Sequence, residues 1–167
     1  MNKVTKLIIA GTIGILCAAS AYASDSAQDF VTKAAIAGKF EIESSKIALN
    51  RSQNPQVKQF AQMMIDDHTR ASDQLKATVQ SNPNVQLPAG LDKKHQKMID
   101  KLNSVDAKKF DKTYVDMQTK AHKEAVSLFK DYAHSGKDQS LKDFAANTLP
   151  VLQGHLDHVK QVKSNLP

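Results

Sequence analysis

Residues 55–79 read PQVKQFAQMMIDDHTRASDQLKATV, and this stretch decides the fold. Its apolar residues recur every three or four positions, which is the period of an α-helix with one buried face. Asn54 and Pro55 mark the start of the helix. Proline is favoured at an early helical position, because the backbone N–H that it lacks would have no hydrogen-bond partner within the helix there. The predicted inner stripe carries one polar residue, His68, among Val57, Phe60, Met64, His68, Ala71, Leu75 and Val79.

The same period recurs on both sides of this helix, and no segment alternates as a β-strand would. Two long helix pairs with short turns, joined by a longer middle connection that carries a short helix, predict an all-α four-helix bundle with a crossover. Pro150 lies inside the last helix and predicts a kink or a division there. The further predicted helices cover residues 27–50, 92–102, 106–134 and 139–163.

The N-terminus has the pattern of an export signal. Lys3 and Lys6 precede an apolar run over residues 7–19, which is too short to span a bilayer. Small residues at Ala21 and Ala23 predict cleavage after Ala23, so residues 1–23 are a signal peptide and 24–167 form one domain. We expect a bacterial periplasmic protein with no stable membrane anchor after cleavage. The alternative is a lipoprotein modified at Cys17, which Leu16 disfavours as the preceding residue.

Composition excludes several classes of site. The chain has no Trp and a single Cys, Cys17, which lies in the signal. The mature domain therefore has no disulfide, thiolate zinc site or iron–sulfur cluster. The chain has 23 basic and 17 acidic residues. Its lysines are interspersed with aspartates at helical intervals, which indicates a solvated helix face and no nucleic-acid partner.

Four polar residues fall on or beside the predicted inner stripes: Glu41, His68, His122 and His155. Glu41 and His68 are nearly equidistant from the first turn, so they should lie at one level of the bundle. His122 and His155 differ by about five residues in distance from Gly136, or roughly 7 Å along the axis. His122 lies beside the third stripe, which we take as Phe110, Tyr114, Met117, Ala121, Ala125, Leu128 and Tyr132.

A buried carboxylate or imidazole costs several kcal/mol unless it has a partner. A divalent ion supplies that partner, and three imidazoles with one carboxylate suit zinc, iron, copper or manganese. Asp67 is either a further ligand or the partner of a ligand. Alternatively, Glu41 pairs directly with His68 or with Lys120. The remaining histidines, His95, His134 and His158, are predicted to be exposed.

Several runs carry a family likeness: FAQMMIDDH at residues 60–68, FDKTY at 110–114, His122, and TLP at 148–150 followed by His155. With these runs, residues 25–162 resemble the exported bacterial proteins of domain-of-unknown-function family 4142. The resemblance implies a ferritin-like four-helix bundle. It maps the family's acidic and histidine positions onto Glu41, Asp67, His68, His122 and His155.

The chain departs from ferritin-like di-iron proteins, which use Glu-x-x-His on two helices. Ile65, Thr119 and Leu152 stand three residues before the three histidines, so a mononuclear site, or no metal site, is the better prediction. The first functional hypothesis is a metal-binding protein for metal buffering or envelope stress. The alternatives are a non-catalytic structural or interaction protein without metal, and a metal-dependent oxidoreductase acting on oxygen or peroxide. The sequence assigns no catalytic residue and no oligomeric state.

Overall fold

The computed structural model describes residues 26–166, and within this range the protein is all-helical. The predicted signal peptide and its cleavage point lie outside the described residues. Each helix is within two residues of its predicted range. The helices are α1 (Ala27–Arg51), α2 (Pro55–Gln80), α3 (Lys93–Ser104), α4 (Ala107–Ser135) and α5 (Gln139–Ser164).

Short polar side chains begin the helices by accepting hydrogen bonds from otherwise unpaired backbone N–H groups. Asn54 Oδ1 accepts from Gln56 N at 2.8 Å at the start of α2. Asp138 Oδ1 accepts from Leu141 N at 2.9 Å at the start of α5. Only three residues separate α1 from α2 and α4 from α5, so each pair folds back as an antiparallel hairpin.

The two hairpins pack into a four-helix bundle in which every neighbouring pair is antiparallel. Phe30 near the start of α1 stacks on Tyr132 near the end of α4, with ring centroids 4.0 Å apart. At the opposite end, Ser45 Oγ lies 2.8 Å from Tyr114 Oη. α1 packs against α2 and α4, and α5 packs against the same two helices on the other side. The predicted four-helix bundle with a crossover is confirmed.

The crossover carries α3 back along the outside of α1. The Phe40 and His95 rings lie 5.3 Å apart near the start of α3. At its end, the Arg51 guanidinium donates to the carbonyl oxygens of Asn103 and Val105, at 2.8 and 2.6 Å. These contacts fix the crossover and place the start of α4 at the same end as the end of α1.

The interior is divided into three layers. One apolar cluster includes Phe30 and Tyr132, and a second includes Phe60 and Tyr114. Between them lies a layer of buried polar side chains, which a bundle core normally lacks. This polar layer consists of Glu41, Ser44, Ser45, His68, Gln118, His122 and His155.

Two helices differ in part from their predictions. Pro150 does not divide α5, which is continuous over Gln139–Ser164, so that alternative was wrong, whereas the kink stays a prediction. Pro150 and Ala146 are exposed, so water can hydrate the carbonyl that loses its helical partner. On α4 four residues of the predicted stripe are buried, namely Phe110, Tyr114, Ala125 and Tyr132, but the other three positions are shifted by one residue. Gln118, His122 and Phe129 are buried there, whereas Met117, Ala121 and Leu128 are only half-buried.

Two of the remaining histidines are less exposed than predicted. His95 is half-buried because its ring packs against Phe40, and His158 is half-buried because its ring lies 5.4 Å from the Phe60 ring. His134 is exposed, as predicted.

Candidate metal centre

Each of the four bundle helices contributes one side chain to a central cluster. Glu41 comes from α1, His68 from α2, His122 from α4 and His155 from α5. All four residues are at most 5% exposed. The structure therefore brings together four of the five predicted site residues in the polar layer, and the fifth, Asp67, lies at its edge.

The three imidazole rings face one another at short range. The ring centroids of His68 and His122 are 5.6 Å apart, and each lies 5.4 Å from the ring of His155. One ring nitrogen of each histidine lies within 4.8 Å of the other two. A metal ion that forms bonds of about 2 Å to nitrogen could bind all three after a small inward movement of the rings.

The predicted 7 Å offset between His122 and His155 was therefore wrong. That prediction counted residues from Gly136, but residues 136–138 lie between the helices and add nothing to the rise of either one. Counted from the helix ends, the two positions differ by only about three residues, or roughly 4.5 Å of rise.

Glu41 places a carboxylate among the imidazoles, but its hydrogen-bonding capacity is not satisfied there. Its Oε2 lies 3.1 Å from His68 Nε2, and its Oε1 lies 3.3 Å from His122 Nδ1. These distances are within ion-pair range, but neither Oε1 nor His68 Nε2 has a partner with hydrogen-bond geometry. Burial of such a carboxylate is unfavourable unless a positive charge compensates it. The predicted Glu41–Lys120 pair does not form, because Lys120 is exposed and contacts Glu124.

His122 is oriented by the backbone of its own helix. Its Nδ1 lies 2.9 Å from the carbonyl oxygen of Gln118, which can only accept a hydrogen bond. Nδ1 therefore carries the proton, and Nε2 has a free lone pair. This Nε2 is buried and has no hydrogen-bond partner. Fixing the tautomer through the other ring nitrogen is how proteins orient metal-binding histidines.

His155 is oriented by a carboxylate on the neighbouring helix. Its Nε2 lies 2.7 Å from Asp67 Oδ2, so Nε2–H donates and Nδ1 keeps the free lone pair. Nδ1 is buried and has no hydrogen-bond partner. Asp67 also accepts from the exposed Arg70 guanidinium one turn along α2. Of the two roles predicted for Asp67, this geometry matches the partner of a ligand.

The electrostatics favour neutral imidazoles at neutral pH. Burial lowers the pKa of His155 to about 4, although the hydrogen bond to Asp67 acts in the opposite direction. Burial also lowers the pKa of His68, against the attraction of Glu41. For Asp67, burial alone would raise the pKa, but the hydrogen bonds from His155 and Arg70 lower it overall. Neutral imidazoles have the lone pairs that a metal ion requires.

Sequence reasoning missed the side chains that support the cluster on its α1–α4 side. Gln118 Nε2 donates to Ser44 Oγ at 2.8 Å, and both side chains are fully buried. Ser45 and Tyr114 form a second buried pair next to them. Gln118 lies four residues before His122, which places both on one face of α4 and could have identified Gln118. A stripe chosen only from apolar residues does not include it.

Comparisons with solved structures place the bundle in a known architecture. The chain is similar to CopM in its Cu(II)-bound form, with 19% identity, a TM-score of 0.72, and coverage of 85% of this chain and 98% of that chain. CopM in its Cu(I)-bound form matches with 17% identity, a TM-score of 0.71, and coverage of 85% and 98%. A DUF305 fragment from Deinococcus radiodurans matches with 14% identity, a TM-score of 0.72, and coverage of 86% and 99%. At these identities the likeness shows a shared fold.

Three further observations concern the hydropathy of the helices and similarity in sequence. Within residues 26–166, none of the helices has a stretch of the length and hydropathy that a bilayer crossing requires. The curated proteins contain no match to this sequence. The family model described as "Domain of unknown function (DUF4142)" matches residues 16–162, which confirms the resemblance found in the sequence, and the chain belongs to this family.

Proposed function

We propose that this protein binds a single metal ion, copper in the first place, through His68, His122, His155 and Glu41. The observation that carries the proposal is the set of buried ring nitrogens without hydrogen-bond partners on three facing helices. Two of them are oriented by a hydrogen bond at the opposite ring nitrogen, from His122 to Gln118 O and from His155 to Asp67. A buried carboxylate in their midst supplies the charge that a cation would balance.

Copper is the first choice for two reasons. Imidazole suits copper as well as zinc, iron and nickel, and a given nitrogen and oxygen site generally has the highest affinity for Cu(II) among the divalent first-row metals. In addition, CopM, which has the same fold, is known in Cu(II)-bound and Cu(I)-bound forms. Zinc, iron and manganese are the competing outcomes of the test.

We further propose that the protein is exported and buffers the metal in the bacterial envelope. The support is the charged start at Lys3 and Lys6, the apolar run over residues 7–19 and the small residues before Ser24. The mass of the protein recovered from a periplasmic extract tests this part. A mature chain that begins at Ser24 is expected. Recovery of the uncleaved chain in the cytoplasm alone would contradict export.

The metal site is tested with untagged protein loaded separately with Cu(II), Zn(II), Fe(II) and Mn(II), desalted and subjected to elemental analysis. We expect about one copper ion per chain, because the cluster has the donors for one ion. Electron paramagnetic resonance of the Cu(II) form should show hyperfine coupling to imidazole nitrogens. If none of the four metals remained bound, the proposal would be rejected in favour of a structural or interaction protein.

Matched variants assign the binding to the cluster. His68→Gln and His155→Gln each remove a ring nitrogen and should abolish retention of the ion. His134→Gln makes the same chemical change at an exposed position and should retain about one ion, since His134 lies far along α4 from His122. Circular dichroism checks that each variant is folded. Equal retention by all three variants would contradict this assignment.

A further inference from the structure

A small cavity adjoins the metal cluster on one side. Its volume is about 20 Å³, and Glu41 and His68 both contribute to its wall. The rest of the wall near the cluster comes from the next turn of each bundle helix, three residues from the cluster residue. These positions are Gly38 on α1, Ala71 on α2, Ala125 on α4 and Leu152 on α5.

The two layers that flank the cluster differ in size. On the cavity side, three of the four helices contribute glycine or alanine. On the opposite side, the positions four residues from the histidines are Met64, Gln118 and Val159, which are all fully buried and fill the space. An ion held by the cluster would therefore be closed off by side chains on one side and have free volume on the other.

Gly38 lines the cavity at the seam between α1 and α2. A Cβ at this position would lie 3.5 Å from Ser72 Oγ and 4.0 Å from His68 Nδ1. Ser72 and Ala71 are half-buried at the seam between α1 and α2. Because Gly38 has no side chain, space remains between Ser72, which is partly exposed, and the His68 ring.

Two residues of the cavity wall carry unsatisfied polar atoms. Glu41 is 1% exposed and His68 is 5% exposed, and Glu41 Oε1 and His68 Nε2 have no hydrogen-bond partner. A cavity of this size holds about one water molecule or a ligand of similar size. Because Glu41 and His68 belong to both the cluster and the cavity wall, a molecule in the cavity would lie next to an ion held by the cluster.

We propose that this cavity is an open coordination position, at which the bound metal takes one exogenous ligand of one or two non-hydrogen atoms. The ligand class is water or hydroxide at rest, and a diatomic molecule in exchange with it. This inference rests on the proposed metal site, and it adds that the ion is accessible to small molecules along the α1–α2 seam.

The test uses diatomic probes on metal-loaded, untagged protein. Carbon monoxide is added to the Cu(I) form and detected by its infrared C–O stretch. Nitric oxide is added to the Co(II) form and detected by electron paramagnetic resonance, so that the inference is tested even where copper is not the metal retained. We expect about one probe molecule per bound ion and a single C–O stretching band.

Gly38→Val and Gly154→Val are the matched pair of variants. Both place a valine inside a helix, but a Cβ at Gly154 has no atom within 4 Å, whereas valine at position 38 extends toward Ser72 and His68. We expect Gly38→Val to retain the metal and to bind carbon monoxide at least about tenfold more weakly. Gly154→Val should bind it as the wild-type protein does. Ala71→Val narrows the same cavity from α2, and it replaces Gly38→Val if that variant does not fold.

The outcomes separate the two proposals. A wild-type protein that retains no metal overturns both. A wild-type protein that retains metal but binds neither carbon monoxide nor nitric oxide overturns only the open position. Unchanged probe binding in a folded, metal-loaded Gly38→Val or Ala71→Val variant overturns the assignment of the position to this cavity.

Discussion

The α1–α4 side and the α2–α5 side of the cluster hold their histidines by different means. On the α1–α4 side, His122 is fully buried and donates to a backbone carbonyl, with buried Gln118 and Ser44 next to it. On the α2–α5 side, His155 donates to Asp67, which in turn is held by Arg70 at the surface. Buried groups therefore hold His122 in place, whereas His155 is held by a carboxylate whose other partner, Arg70, is exposed to solvent.

The largest effect on stability is expected on the buried side. His122→Ala removes a ring with no exposed surface and leaves the Gln118 carbonyl without its side-chain donor. We expect the metal-free protein to lose about 3 kcal/mol of unfolding free energy, as buried aromatic rings do when truncated to alanine. Urea denaturation in the presence of a chelator measures it. His134→Ala should change the value by less than about 0.5 kcal/mol. Equal effects of the two variants would contradict the comparison.

Acid should lower the stability of the metal-free protein through His155, on the α2–α5 side. The pKa of His155 is about 4 in the folded protein, against 6.5 as the ordinary value, and its ring faces His68, His122 and Asp67. Between these pH values the unfolded chain binds more protons at this residue than the folded protein does. The contribution of His155 to the free energy of unfolding is therefore complete above pH 6.5 and is lost as the pH decreases toward 4. The full loss is about 3 kcal/mol. The lowered pKa of His68 acts in the same direction.

The measurement is urea denaturation of the chelator-treated protein at a series of pH values between 7 and 4. His155→Gln lacks the titrating ring and should flatten part of this dependence, whereas His134→Gln should leave it unchanged. Wild-type stability that stayed constant across the range, or increased toward acid, would show that burial does not hold His155 in its neutral form.

The sequence predicted the helices and part of the cluster, but it did not predict the contacts that hold His122 and His155. The helix ranges follow from periodicity and from residues that mark helix starts, such as Asn54 and Pro55. The level of Glu41 and His68 follows from the short α1–α2 turn. The α4 stripe was wrong at Met117 and Ala121 because apolarity favours these two residues, whereas their buried neighbours Gln118 and His122 are polar. The Asp67–His155 contact joins residues 88 positions apart, which spacing along one helix cannot predict.

Asp67 should affect metal affinity more than it affects the fold. Asp67→Asn keeps the size of the side chain and an oxygen acceptor for His155, but removes the negative charge behind the imidazole. We expect metal affinity to fall about 10–100-fold, the usual effect of losing the partner of a metal-binding histidine. Competition with a chromophoric chelator measures the affinity. Asp66→Asn removes an equal charge from the adjacent exposed position and should have little effect. Similar losses in both variants would indicate a general effect of net charge.

The smallest effect is expected at Arg70, the outermost residue of the α2–α5 side. Its side chain is 72% exposed, so water and salt screen its interaction with Asp67. Arg70→Ala should change the unfolding free energy by less than about 0.5 kcal/mol. Metal affinity should fall less than in Asp67→Asn, and the difference from wild type should shrink as the salt concentration rises. His155 contacts Asp67 directly. If Arg70→Ala lowered metal affinity as much as Asp67→Asn does, the guanidinium, and not the hydrogen bond from His155, would hold the carboxylate in place.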